Sequence, residues 1–524
     1  MQRKLLSIVV LAMCCFTFVA HSSTTENQQK ALRNIQRSMD IIDATWKSSI
    51  KGYRTNIYMV DTYNTNTGAV SGPSDVWPFT AAIEAHCSIL EALESVKGIA
   101  PELYSEKYTK YKDQLERLID ALEYYRGTYT RPSYATTARE WSPFAVPRAN
   151  QAGKADVSGI LNVYDDQMWL ARELVRAYRL TDNKKYLDEA TYLIDYSLDG
   201  WDCWRDENGV EYGGITWGPG YNSKHSCSNA PIIQPLVWLS DIYKNSDESV
   251  EYIFRDVNNN VVKESRTRHE HYLDFAKKVY DWQKSKLKHS SGVYWDMMGA
   301  DNTIKIKDGY RQHVDCGGPT GSLISYNTGT MISGAAELYR VTGNADYCKD
   351  LTEASQASMS KFSRYVRSHK TYEFTTDNTA ENGFNTWFND VLMRSYVDAF
   401  PFADNTTPKN ALNSFQTNLD YAFENHNRNN LLPIHLLDGW GDEVITKGFH
   451  QFSFASEYAI LAKWLLDNDD DNESAITEVI ADSISENDCV YTISGVKIGE
   501  LGKVKASLPK GVYIVGSRKL LLGN

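Results

Sequence analysis

The chain has 524 residues, and 55 Lys+Arg against 67 Asp+Glu set its net charge at −12, a field that opposes polyanions and excludes nucleic acid as a partner. Hydrophobic residues at 42% suffice for a packed core and exclude disorder as the main theme, while 13 Trp and 33 Tyr exceed what a core needs and suit a surface that stacks on sugar rings. One large domain plus a small one suits this length as well as three or four average domains do.

The N-terminus opens with Arg3 and Lys4 before an apolar run at 5–20, a pattern that predicts a signal peptide over 1–22 with cleavage after Ser22. Export to the periplasm, the cell surface or the medium follows. Leu11-Ala12-Met13-Cys14 also outlines a lipid-attachment site, though Met13 is bulky where a small residue belongs. Beyond the leader stand Cys87, Cys203, Cys227, Cys316, Cys348 and Cys489, with no Cys-x-x-Cys pair to suggest zinc or a redox motif. Export permits disulfides, with Cys203 and Cys227 close enough in the chain to close a modest loop, and buried free thiols are the equal alternative.

Apolar spacings of three and four predict twelve helices, at 30–48, 79–97, 107–126, 166–181, 184–198, 229–244, 269–288, 324–342, 345–366, 384–400, 408–425 and 451–466, with strand alternation rare among them. Two turns are near copies: Tyr178-Arg179-Leu180-Thr181-Asp182-Asn183 and Tyr339-Arg340-Val341-Thr342-Gly343-Asn344. Each reads as a helix end, a tight turn and a new helix. Six such αα-hairpins around an axis predict an all-α fold, an (α/α)6 barrel over residues 23–466. The long loops 125–164, 200–228 and 292–323 are crowded with aromatics, and long ordered loops in a compact domain usually carry function.

The run at 467–473 reads as a linker. Asp467, Asp469, Asp471 and Glu478 match calcium-loop offsets, but Asn472 replaces the Gly the sharp turn needs, and no metal is assigned. Beyond it, short alternating strands at 490–493, 496–498, 512–515 and 519–522 predict a small all-β, sandwich-like C-terminal module over 474–524.

The most informative string is Asn162-Val163-Tyr164-Asp165-Asp166-Gln167-Met168-Trp169. In its structural reading Asp165 caps a helix and Asp166 answers the macrodipole. Position after a long aromatic loop makes a rim site the functional alternative. Adjacent aspartates in a cleft repel, which drives their pKa values apart and makes an acid and a nucleophile from one residue type. Glycoside hydrolysis needs that division; retention wants carboxyls about 5–5.5 Å apart and inversion about 6.5–9.5 Å, and neighbouring residues reach the short separation more easily.

With these residues in place, the chain resembles glycoside hydrolase family 76, whose members include bacterial endo-α-1,6-mannanases built as (α/α)6 barrels. Asp165, Asp166 and Trp169 match its Asp-Asp pair before a Trp-bearing helix, and Gly213-Gly214-Ile215-Thr216-Trp217 its Gly-Gly-Ile-x-Trp stretch. Lys224 and Ser228-Asn229 match the basic residue and the Ser/Thr-Asn that follow; Asp308-Gly309, Cys316 and Tyr326-Asn327-Thr328-Gly329 resemble the Asp-Gly, Cys and Tyr-Asn-Gln-Gly elements, with Thr328 departing from Gln. The resemblance covers residues 30–466. It implies Asp165 as nucleophile and Asp166 as general acid/base of a retaining enzyme on an α-1,6-mannan backbone or its oligosaccharides, with no cofactor. It also implies a substrate role for Trp169, Gly213, Gly214, Trp217, Lys224, Asn229, Asp308, Tyr326 and Asn327.

The tail is similar to C-terminal sorting modules of secreted Bacteroidetes proteins, through Tyr491-Thr492-Ile493-Ser494-Gly495 and Leu508-Pro509-Lys510-Gly511-Val512-Tyr513-Ile514-Val515, which implies secretion or surface-attachment machinery as a partner. A structural cap on the barrel is the alternative. His269-x-His271 lacks an acidic partner at ligand spacing and reads as exposed polar residues. Trp201, Trp204, Tyr212, Trp217 and Tyr221, with Trp77 and Trp387 behind them, are expected to supply at least one cleft-lining ring. Two other functions fit the same pattern: a transglycosidase, since a retained glycosyl-enzyme can pass its sugar to an alcohol, and a non-catalytic glycan-binding surface protein, which would have no need of both Asp165 and Asp166.

Overall fold

The near-copied turns fold alike. Asp182 (φ 54°) and Gly343 (φ 66°) each end a helix in the left-handed conformation, their N–H groups donating to Tyr178 and Tyr339 carbonyls. The next residues, Asn183 and Asn344, cap the following helices by accepting from the Lys185 and Asp346 N–H. The computed structural model describes residues 24–300, 303–375, 385–469, 489–492, 497–504, 511–515 and 518–522. The leader at 1–22, the linker residues 470–473 and the tail up to 488 lie outside the described residues.

All twelve expected helices are present: α1 (Glu26–Ser49), α2 (Val76–Ser95), α3 (Pro101–Ala121), α4 (Tyr164–Thr181), α5 (Lys184–Leu198), α6 (Ile233–Ile242), α7 (Arg268–Leu287), α8 (Ser325–Thr342), α9 (Ala345–Phe362), α10 (Asn385–Ala399), α11 (Thr406–Asn425) and α12 (Gly448–Asp467). Their burial sorts them into two sets. Most residues of α2 and α12 are buried, whereas α3 buries only the stripe Tyr111, Leu115, Leu118 and Ala121. The even-numbered helices pack in sequence, α2 on α4, α4 on α6, α6 on α8, α8 on α10, α10 on α12, and α12 returns to α2. Helices α3, α5, α7, α9 and α11 lie each against the even helix before it, and α1 is tied to α12 by the Ser38 hydroxyl donating to the Ala455 carbonyl at 2.7 Å. The fold is mainly helical.

Several expectations need correction. Strands are not rare in the helical part, because its long loops fold into short antiparallel ribbons, such as Tyr129–Arg131 with Arg139–Trp141 and Ser249–Arg255 with Val261–Thr267. The helix expected at 345–366 ends at Phe362, and Ser363–Val366 pairs with Thr371–Phe374 instead. Of the two alternatives held open for Cys87, Cys203, Cys227, Cys316, Cys348 and Cys489, the structure has free thiols. His271 is buried among Tyr252, Tyr272 and Phe275 rather than exposed.

Residues 30–468 form one compact unit, and the chain from Asp469 onward belongs to a second. In the latter, Cys489–Thr492, Lys497–Glu500, Gly511–Val515 and Arg518–Leu522 make a four-stranded antiparallel sheet. Val490, Leu501, Tyr513 and Val515 are its core. A one-turn helix at Leu501–Val504 interrupts what the sequence reads as strands alone.

Candidate active site

Helix α4 begins at Tyr164, so its first turn carries Asp165 and Asp166, and the cap position falls to Val163, which has no capping side chain. Asp165 therefore is not the helix cap. The start of the helix is fixed instead from outside, by the Tyr164 N–H donating to the Trp217 carbonyl at 2.8 Å, and the Trp217 N–H in turn donates to Ser223. Two separate sequence motifs are thereby joined through the backbone.

These segments wall a cavity of about 590 Å³. Asp165 and Asp166 share it with Asp75 at the start of α2 and Asp296 in the strand Trp295–Met298. Around the carboxyls stand Trp77, Trp169, Trp217, Tyr221, Tyr326, Trp387 and Phe388. The rings brace one another: Trp387 meets Trp169 edge-on at 4.6 Å and Trp77 at 5.0 Å, Trp217 stacks on His225 at 4.6 Å, and Tyr326 stacks on Phe388 at 4.7 Å. Such a wall offers apolar faces to pyranose rings with a few polar groups between them.

The two aspartates are held differently. Burial raises the Asp165 carboxyl from 3.8 to about 6, opposed by the Cys227 thiol, the backbone N–H groups of the first turn and the Trp217 indole. Asp166 is only 5% exposed, and burial, then the charge of Asp165, then that of Asp75 push it well above the usual carboxylate range. Its side chain makes no hydrogen bond among the described residues. Among the described residues neither Asp165 Oδ1 nor Trp217 Nε1 meets full hydrogen-bond geometry with a partner, and the indole acts on the carboxyl as a nearby donor. Burial also raises Asp296 to about 6, against the Asn327 amide beside it.

Of the residues singled out by sequence, Asp165, Asp166, Trp169, Trp217 and Tyr326 meet in this cavity, and Tyr221, Trp77 and Trp387 join them. The others do not line it. Lys224 is buried, its ammonium donating to Asp202 at 2.8 Å and to the Gly213 carbonyl at 2.5 Å. Asn229 accepts from the Ile215 N–H and donates to the His225 carbonyl, pinning the 213–217 loop from behind. Gly213 and Gly214 (φ 67° and 79°) pack flat on Trp282, and a Cβ on Gly214 would sit 2.4 Å from that ring. Asn327 is buried behind Asp296. Asp308 (φ 52°) is the exposed turn of a small hairpin, Ile306–Lys307 with Tyr310–Arg311. Trp201, Trp204 and Tyr212 are outside the lining.

Asp75, Asp296, Cys227, His225 and Phe388 were not anticipated. Asp75 precedes the Val76-Trp77-Pro78 helix start, a cap signal that could have placed it on the rim, and Asp296 follows an aromatic pair inside a loop flagged for its length. Cys227 carried no signal. Among the described residues no group of three or more His, Cys, Asp or Glu is arranged to hold a metal ion.

The Glycosyl hydrolase family 76 model matches residues 44–252 and 265–440. The gap between them falls on the outer half of the Ser249–Thr267 hairpin. Mannan endo-1,6-alpha-mannosidase DFG5 of Candida albicans is 24% identical over 202 residues, 38% of this chain and 38% of that protein. Its Saccharomyces cerevisiae namesake is 24% identical over 221 residues, 42% and 40% of the two chains. The chain thus spans about two fifths of the length of these curated relatives. A family 76 glycoside hydrolase (mannosidase) from Bacteroides thetaiotaomicron superposes with a TM-score of 0.58 at 19% identity, over 84% of this chain and 100% of the other. An inactive α-1,6-mannanase variant from Salegentibacter sp., in complex with α-1,6-mannotriose, gives 0.54 at 17% identity, over 83% and 99%. At such identities the solved structures speak to the fold alone. The family match runs through both segments that build the cavity, from the α2 start to the 385–388 turn, and on that ground the chain belongs to glycoside hydrolase family 76.

Proposed function

We propose that this protein is an exported endo-acting hydrolase of α-1,6-linked mannan, working by retention within an (α/α)6 barrel formed by the closed ring of even helices and the odd helices outside it. The observation that carries the reading is the pair Asp165 and Asp166, side by side on the first turn of α4 in an aromatic-walled cavity, with Asp166 held protonated more strongly than Asp165. Asp166 donates its proton to the glycosidic oxygen as that bond breaks, and Asp165 attacks C1 to form a glycosyl-enzyme. Asp166, now a carboxylate, takes a proton from the incoming water, which attacks C1 and releases the sugar with its configuration retained. The substrate assignment draws on the curated relatives named mannan endo-1,6-alpha-mannosidase and on the mannotriose held by the Salegentibacter relative. The tail sheet is read as a sorting module that directs the exported protein.

Digestion of debranched α-1,6-mannan, with products separated over time, tests this. Oligosaccharides of many lengths appearing early would support endo action; mannose alone would contradict it, and no product at all would reject the hydrolase.

A further inference from the structure

We infer that a second groove on the helical unit binds an oxyanion, a phosphate ester carried on the glycan. The groove has a volume of about 580 Å³ between the end of α1 and the 428–431 turn. Lys47, Lys51 and Arg428 line it together with Ser48, Tyr63 and Thr65, and among the described residues no carboxylate does. In a chain of charge −12, basic side chains ordinarily find an acid, as Lys110 finds Asp43 and Lys447 finds Asp61 in the adjoining segments. Lys47, Lys51 and Arg428 form no ion pair among the described residues.

Two of the three heads are placed. Lys51 Nζ donates to the Lys47 carbonyl at 3.2 Å, and Arg428 Nη1 donates to the Glu443 carbonyl at 3.0 Å with its guanidinium 4.7 Å over the Trp440 ring. Neutral partners hold Lys51 and Arg428 without cancelling their charge, and with Lys47 three like charges line one concavity, a cost that a bound anion removes. Two ammoniums and a guanidinium fork offer donors from several directions, which suits a tetrahedral oxyanion better than a flat carboxylate.

The groove and the catalytic cavity are linked through the chain. One segment supplies Tyr63 and Thr65 to the groove and Asp75 to the cavity, folded back on itself by the pairing of Val60 with Pro73 and Tyr63 with Val70. An anionic substituent seated in the groove would thus belong to a long glycan running toward Asp165. That the anion rides on a glycan rests on the hydrolase reading; that the groove takes an oxyanion does not.

Calorimetric titration of the full chain at low salt with inorganic phosphate, sulfate and uncharged mannose tests the site. Phosphate should bind, mannose should bring no heat attributable to the groove, and the doubly substituted Lys47→Gln/Lys51→Gln chain, altered only at surface positions, should lose at least about tenfold in phosphate affinity. No binding to the unaltered chain, or equal affinity in the variant, would overturn the site. The glycan arm compares KM for a manno-oligosaccharide bearing a phosphate ester with KM for its neutral counterpart. A lower KM for the phosphorylated sugar, lost in the variant while turnover of the neutral one is unchanged, supports the proposal. Equal KM values with phosphate still bound assign the groove to free phosphate and overturn the glycan half. Phosphate binding without cleavage of either sugar would uphold the oxyanion site and reject the hydrolase reading instead.

Discussion

The Tyr164 N–H donates to the Trp217 carbonyl at 2.8 Å, so the turn that carries both cavity aspartates is hung on the loop that faces them. Disturbing that loop should disturb the carboxyls. Gly214→Ala puts a Cβ 2.4 Å from the Trp282 ring at a φ of 79°, and should cost about 2–4 kcal/mol through overpacking and backbone strain. Gly441→Ala, at a φ of 51° with open space around it, should cost only the strain, about 1 kcal/mol. Urea unfolding of both variants checks this, and equal losses would contradict the packing account.

Asp165→Asn and Asp166→Asn should each lower kcat by at least about 10²-fold while leaving the fold intact. The two should differ in kind. On an aryl mannoside with a good leaving group, Asp166→Ala should keep most of its first-step rate, since an acid matters least there, whereas Asp165→Ala should not. Burst kinetics on that substrate measure it; an equal loss would move the acid/base role elsewhere.

The pH profile of kcat/KM on neutral substrate should be bell-shaped. Its acid limb reflects ionisation of Asp165, at about 6, and its alkaline limb the loss of the Asp166 proton at higher pH. The Cys227 thiol is the largest influence holding Asp165 down. Cys227→Ala should therefore shift the acid limb upward, and a limb that stays put or falls would remove the thiol from the site.

Stability should move the other way from activity. A carboxyl raised from 3.8 to about 6 on folding holds its proton more tightly folded than unfolded, so its contribution favours the fold at low pH and is lost as pH rises from about 4 to 6. At pH 7 ionised Asp165 then costs at most about 3 kcal/mol, less for its partial access to the cavity. Asp165→Asn should unfold at higher temperature than the unaltered protein at pH 7, with the difference shrinking toward pH 4. A variant less stable at pH 7 would refute the burial account.

A chain ending at Asn468 should fold and keep its hydrolytic activity, because residues 30–468 form a compact unit that contains the whole cavity. Circular dichroism and mannan digestion of the truncated protein check it; loss of either would show that the tail supports the helical unit.

Much of this protein is local, and what is local was legible. The twelve helices follow from apolar spacing, and the paired turns at Asp182-Asn183 and Gly343-Asn344 follow from residues that tolerate a left-handed backbone and then cap the next helix. Asp165, Asp166 and Trp169 could be placed on a rim because they stand within one turn of each other after a long aromatic loop. What only tertiary structure decided is which distant residues join them. Asp75, Cys227, Asp296 and Phe388 come from four separate segments, and no spacing relates a residue at the start of α2 to one in α10. Lys224, to which the family resemblance gives a substrate role, is 3% exposed with its ammonium satisfied by Asp202 and Gly213. Side-chain type tells what a residue can bind; burial and the partners brought by the fold determine whether that capacity is already spent.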